Sequence, residues 1–259
     1  MIPCYRGPMI GPNKNKGASF VAEGRSFDGV NSHMLSNASW YGSASLYALC
    51  SIWFRYRADT TAEETLIANG TSGTSRFAVS RKVDNTIRVR GRDTGGTIAV
   101  EFSTTTALPD IDNAWHNLVF KLYLDVVGRA DCWIDRQRSI STVTGNGNAV
   151  DFAQGLASVG ALGDSSARSA LLSGDLSEIW FKVGQNITSV PIDDTPLIFS
   201  TAEGKARPLG VNGELAIPGV VPETYIHWPS GPNPYNRGSR GTFAMVNGTI
   251  SPASAHPPT

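Results

Sequence analysis

From Phe20 to Val183 apolar and polar positions alternate with a period of two. In residues 46–57, Leu46, Ala48, Cys50, Ile52, Phe54 and Tyr56 make one continuous apolar face. The opposite face, Tyr47, Leu49, Ser51, Trp53, Arg55 and Arg57, turns polar toward its end, the pattern of a long strand inside a sandwich. Residues 76–105 predict three antiparallel strands joined by tight turns at Asp84-Asn85 and at residues 93–96, where Asn and Gly supply the positive φ that hairpin turns require. Residues 115–125 place His116, Leu118, Phe120, Leu122 and Leu124 on one face, and residues 131–139 read as a short strand entering a turn around Asp135. Residues 157–166 and 171–181 supply the last two strands.

No stretch carries a capped 3.6-residue pattern of helical length, so the predicted class is all-β, a sandwich or a barrel. Beyond Val183 the character changes: Pro191, Pro196, Pro208, Pro218, Pro222, Pro229, Pro232 and Pro234 follow closely. Proline cannot donate to a ladder, which largely excludes central strands there. Yet Leu197, Ile198, Phe199, Tyr225, Ile226, Trp228, Tyr235 and Phe243 are too many large apolar groups to leave in water. The segment is therefore expected to pack on the domain or on a neighbouring subunit, with Tyr225, Trp228, Tyr235 and Phe243 as docking residues. The division that follows is an N-terminal arm at 1–18, a β domain at 19–183 and a Pro/Gly-rich docking region at 184–259.

Charge removes some partners from consideration. The 22 basic and 22 acidic side chains cancel, and no segment interleaves Lys and Arg with aromatics, so no nucleic-acid partner is expected. No apolar run reaches membrane-spanning length and the N-terminus lacks a signal-peptide core, so no membrane partner and no export are expected. Cys4, Cys50 and Cys132 are an odd number without C-x-x-C spacing, which argues against a disulfide framework or a zinc site and for free, mostly buried thiols. N-x-[ST] matches at Asn37, Asn69, Asn186 and Asn247 read as products of a Ser/Thr/Asn-rich composition.

The order of these signals over 20–183 resembles the laminin-G-like jelly roll of the concanavalin A-like group. The matching pieces run from "SFDGVNSHM" as the opening strand, through "YALCSIWFRY", "RFAVSRKVDNTIRVRG" and "WHNLVFKLYL", to "LLSGDLSEIWF" as the closing one. Arg136 stands where that family usually has Gly after Asp135, which alters the turn. The later stretch, residues 199–254, is similar to the segment that follows such jelly rolls in proteins of tailed bacteriophages, with Glu203-Gly204-Lys205, Leu209-Gly210-x-x-Gly213, Pro222-x-x-Tyr225, Asn236-x-Gly238 and Gly241-x-Phe243. That resemblance implies a virion protein made in the bacterial cytoplasm, a homo-oligomer contacting other virion proteins.

Candidate chemistry is sparse. Glycosidases of this sandwich class carry Glu-x-Asp-x-Glu along one strand, and no such triplet occurs; Asp175 and Glu178, three apart, are expected on opposite strand faces. Nucleophile elbows and H-x-x-x-H spacing are absent as well, so a non-enzymatic protein is expected. No cofactor is expected. Calcium, which some members of the fold hold, has weak candidates in Asp28, Asp164 and Asp151, with Asn146 and Asn148 beside the last; a loop Asp is more often a turn former. Arg88, Arg90 and Arg92 share one strand face, either a solvated surface or a set of forks for carboxylates of an acidic polysaccharide or a neighbouring subunit. Trp40 and Tyr41 could stack on a sugar ring or lie as a lid over the core. Two functions remain: a structural virion protein docking through its termini, and a module that recognises a host-surface glycan.

Overall fold

The computed structural model describes residue 20 and residues 22–58, 61–70, 75–109, 111, 113–125, 129–163, 168–228, 235–247 and 250–259. The strands in chain order begin with β1 (Gly24–Asp28), β2 (His33–Ser36), β3 (Ala44–Ser45), β4 (Tyr47–Tyr56), β5 (Glu64–Asn69), β6 (Phe77–Arg81), β7 (Ile87–Arg92) and β8 (Ile98–Ser103). They continue with β9 (His116–Tyr123), β10 (Ala130–Ile134), β11 (Gln137–Arg138), β12 (Val150–Asp151), β13 (Ala157–Val159), β14 (Leu162–Gly163), β15 (Arg168–Ser169) and β16 (Ser173–Val183). After a short helix α1 (Thr195–Phe199) come β17 (Thr224–His227), β18 (Tyr235–Asn236), β19 (Phe243–Asn247) and β20 (Ser251–Pro252).

Two antiparallel sheets face each other as a jelly-roll β-sandwich. The first runs β11-β10-β9-β4-β16-β1-β20, with β17 also on β16 and β18 on β17; the second runs β19-β2-β13-β5-β6-β7-β8. The predicted inward face of β4 (Ala48, Cys50, Ile52, Phe54, Tyr56) lies in the core between them, with Leu118, Phe120 and Leu122 of β9 and Phe77, Val79, Ile87 and Val89 of the second sheet. The three strands predicted over 76–105 are β6 to β8, and Asn85 takes φ 61° in the turn between the first two. Asp135 and Arg136 both adopt positive φ, 48° and 71°, so a non-glycine turn replaces the Asp-Gly turn of the resembled family. Cys50 and Cys132 are free and buried, and burial pushes both thiols up.

One expectation changes. The stretch read as one opening strand is two, β1 in the first sheet and β2 in the second. Between them the Asp28 carboxylate accepts from the backbone N–H of Val30, Asn31 and Ser32 at 2.8–2.9 Å and turns the chain from sheet to sheet. The residues after 183, expected to pack on the domain or on a neighbouring subunit, pack on this chain's own sandwich. β17, β18 and β20 extend the first sheet, and β19 forms an edge of the second. Proline keeps these strands short and peripheral, as its missing N–H requires.

That segment also covers the outer face of the first sheet. Leu49, Val119, Trp133 and Trp180 point away from the sandwich and meet Ile187, Val190, Phe199, Leu209, Ile217 and Tyr225 in a second apolar core. The first sheet is therefore buried on both faces, and every residue of β4 and β16 after the first is buried. Trp180 is sealed by Gly213, whose carbonyl accepts the indole N–H at 2.9 Å. Gly213 has φ 77°, and a Cβ there would sit 2.9 Å from the Trp180 ring, so both the turn and the close approach require glycine. Glu223, buried, holds the cover in place: its carboxylate accepts from Lys182 Nζ at 2.8 Å and from the Val183 N–H at 2.7 Å.

Candidate functional site

Tyr47 of β4 and Tyr123 of β9 are register partners on the outer face of the first sheet, beside the pair Leu49 and Lys121. Lys121 is in turn the partner of Asp131 on β10. At this end the apolar cover stops, and a cavity of about 350 Å³ opens, lined by Tyr47, Lys121, Tyr123, Asp125, Arg129 and the segment around Thr188 and Pro191.

The site is cationic and aromatic. Burial pushes the Lys121 ammonium below its ordinary range; Asp131 opposes this and Arg129 adds to it. One of its three donors goes to the Val190 carbonyl at 2.6 Å, leaving the others to serve an acceptor in the cavity. The Arg129 guanidinium lies 4.7 Å from the centroid of the Tyr123 ring and covers one of its faces. Asp131 is occupied by the Tyr123 hydroxyl and by Arg138 Nε at 2.7 Å, so it acts as a buried brace. Tyr47, half-buried, is the ring left to receive a flat apolar surface. A half-exposed aromatic wall beside fixed hydrogen-bond donors can hold the alternating apolar and hydroxyl faces of a sugar. Two cations against the single carboxylate of Asp125 favour an acidic one.

The residues predicted from sequence lie elsewhere. Trp40 is fully buried: its indole donates to the Ala68 carbonyl at 2.9 Å and its ring meets Phe181 at 5.2 Å, so it is core and not a stacking platform. Tyr41 sits at the edge of that core under the Arg240 guanidinium, 5.6 Å away. Arg88, Arg90 and Arg92 do share one face of β7, but as part of an ion-pair ladder. Arg88 holds Glu63, Arg90 holds Glu101 on the neighbouring strand, and Arg92 donates to the Gly96 carbonyl at 2.9 Å. The forks expected to grip an external carboxylate already have acceptors.

Tyr225, Trp228 and Phe243, read as docking residues, are buried within this chain, because the cover closes on its own sandwich and leaves them no outward face. The Tyr235 side chain and Asp164 lie outside the described residues. Asp28 and Asp151 are turn formers. Burial would raise the Asp28 carboxyl, but its three backbone donors hold it at about 2; Asp151 accepts from the N–H groups of Ala153 and Gln154. Among the described residues no group of three or more His, Cys, Asp or Glu is placed to hold a metal ion.

Asp175 and Glu178 share the outer face, against the expectation of opposite faces. Asp175 takes Arg55 Nε at 2.7 Å and Ser26 Oγ at 2.6 Å, whereas Glu178 reaches the cover. A bulge between Ser177 and Trp180 causes this, with Glu178 as the extra residue at φ 45°. The spacing of Leu176, Ile179, Phe181 and Val183, three and then two and two, was the signal for it. For the Lys121 site the signal was a lysine at an outward position in an otherwise apolar strand.

No protein-family model matches the sequence, and no curated protein matches it. Solved structures do. A protein of Bacteroides ovatus provisionally assigned to carbohydrate binding superposes with a TM-score of 0.58 at 12% identity, over 92% of this chain and 62% of its own. The heptameric SAP-like pentraxin of Limulus polyphemus gives 0.48 at 14% identity, over 66% of this chain and 82% of its own. Domains LG4-5 of the mouse laminin α1 chain give 0.45 at 15% identity, over 63% and 41%. The Bacteroides protein shares the antiparallel jelly-roll sandwich fold. The Bacteroides match covers too much of the chain to leave out all of the residues after Val183.

Proposed function

We propose that this chain is a non-enzymatic glycan-binding module whose site is the cavity formed by Tyr47, Lys121, Tyr123 and Arg129. The observation that carries the reading is the Tyr47–Tyr123 register pair flanking one buried and one exposed cation, where the apolar cover ends. The carbohydrate-binding description of the Bacteroides neighbour agrees with it, at the level of fold. Saturation-transfer NMR on the full chain tests it with glucuronate and methyl glucoside as probes. Signal from glucuronate, reduced in Arg129→Gln, is expected; silence from both sugars, or signal indifferent to that substitution, counts against the site.

The setting we favour is a tailed-phage particle. It is supported by the resemblance of residues 199–254 to segments of such proteins and by the form of that stretch, an extended cover whose Gly- and Asn-based turns follow the motif. The Asn236 side chain accepts from the Tyr225 and Gly238 N–H groups at 2.9 Å and donates to the Glu223 carbonyl. Because Tyr225, Trp228 and Phe243 are inside, particle attachment in this reading rests on surfaces other than those three rings. Immunogold labelling of purified particles for this chain tests the setting, and particles free of it would refute it.

A further inference from the structure

A second pocket lies on the same outer face, at the opposite side of the cover, and nothing in the glycan reading uses it. On β17, Tyr225 is buried and His227 half-buried; their rings stack at 6.0 Å between centroids, and Phe20 also stacks on His227, at 6.2 Å. Glu178, buried, accepts the Tyr225 hydroxyl at 2.7 Å and the His227 Nδ1–H at 2.5 Å. A carboxylate only accepts, so this bond places a proton on Nδ1 and turns Nε2 outward. Nε2 makes no hydrogen bond among the described residues.

Beside it is a cavity of about 330 Å³ with mainly apolar walls, lined by Phe20, Pro208, Val211, Tyr225, His227 and Arg237. Arg237 Nε is buried there without a hydrogen-bond partner, and no carboxylate ion-pairs with Arg237 among the described residues. A buried guanidinium nitrogen left unsatisfied is costly unless something is meant to meet it. Glu178 holds φ 45°, a left-handed conformation rare for a residue other than glycine, and that backbone directs its carboxylate at His227. Burial works against a charged His227 ring, but the hydrogen bond and charge of Glu178 outweigh it and raise its pKa. Glu23 is the other acidic group acting on the ring and Arg237 the opposing cation.

We propose that this pocket binds a small monoanion with a flat apolar body, an aromatic carboxylate. Its ring would lie against Phe20, Pro208 and Val211, and its carboxylate would bridge His227 Nε2 and the Arg237 guanidinium. Two charged donors at one end of an apolar slot select for that combination: an inorganic anion would leave the walls wet, and an uncharged ring would leave Arg237 unmet.

The test is titration of the full chain at pH 6 with benzoate, inorganic phosphate and benzyl alcohol, read from the His227 ring resonances. Saturable benzoate shifts are expected, with benzyl alcohol binding about tenfold more weakly, the loss from one charged hydrogen bond. Arg237→Gln should weaken benzoate by a similar factor. Val211→Trp, at an exposed position on the rim, should block the slot and leave the fold unchanged by circular dichroism. Absence of saturable benzoate shifts, phosphate binding as tightly as benzoate, or benzoate affinity indifferent to both substitutions would each overturn the assignment.

Discussion

The hydroxyl of Tyr225 donates to the Glu178 carboxylate at 2.7 Å across the point where β16 changes partners. Ser177, on one side of Glu178, pairs with Gly24 of β1; Ile179, on the other, pairs with Ile226 of β17. The bulge residue is thus a peg that fastens the late segment into an edge already half occupied. Replacing Glu178 with Ala would leave Tyr225 Oη and His227 Nδ1 without their acceptor. A loss of about 3 kcal/mol in urea unfolding is expected, the upper range for hydrogen bonds to a charged group. Hydrogen exchange should rise in β17 before it rises in β4.

The Glu178–His227 pair also sets a pH dependence. The folded-state pKa of His227 lies above its ordinary value of 6.5, so the bond's contribution is complete below about 6.5 and is lost as pH rises through the raised value. Calorimetry from pH 6 upward should show a fall in melting temperature that His227→Gln removes. An unchanged pH profile in that variant would mean that another group titrates.

The second core makes the residues after Val183 part of the folding unit. Ending the chain at Val183 should expose Leu49, Val119, Trp133 and Trp180 together and give an aggregating product. Trp180→Ala in the full chain should cost about 3–5 kcal/mol, the range for deleting a buried aromatic. A soluble, cooperatively folded 1–183 fragment would show that the cover is dispensable.

Asp28 separates turn formation from metal binding. Asp28→Asn keeps a neutral acceptor for Val30, Asn31 and Ser32, and Asp28→Ala removes the acceptor altogether, so the alanine variant should lose more stability, by about 1 kcal/mol. Equal losses in both variants, together with stabilisation of the wild type alone by added calcium, would restore the metal reading.

Much of the fold was legible because inward-facing positions obey one rule. The alternation at Ala48, Cys50, Ile52 and Phe54, and the turn at Asn85, each follow from local chemistry alone. The site was not legible, because it depends on what covers the other face. Trp40 and Tyr41 read alike in sequence, yet one is core and the other is at its edge, a difference set by Phe243, which arrives from two hundred residues away. Arg90 read as either a solvated residue or a fork for an outside carboxylate until β8 placed Glu101 opposite it. Lys121 and Tyr47 are far apart along the chain and become neighbours only through the pairing of β4 and β9.

The most direct measurement is glycan-array binding of the full chain, run in parallel for wild type, Tyr47→Ala and Trp40→Phe. The account predicts binding concentrated on acidic glycans, lost in Tyr47→Ala and retained in Trp40→Phe. Binding that survives Tyr47→Ala, or a wild-type array without signal, would contradict it.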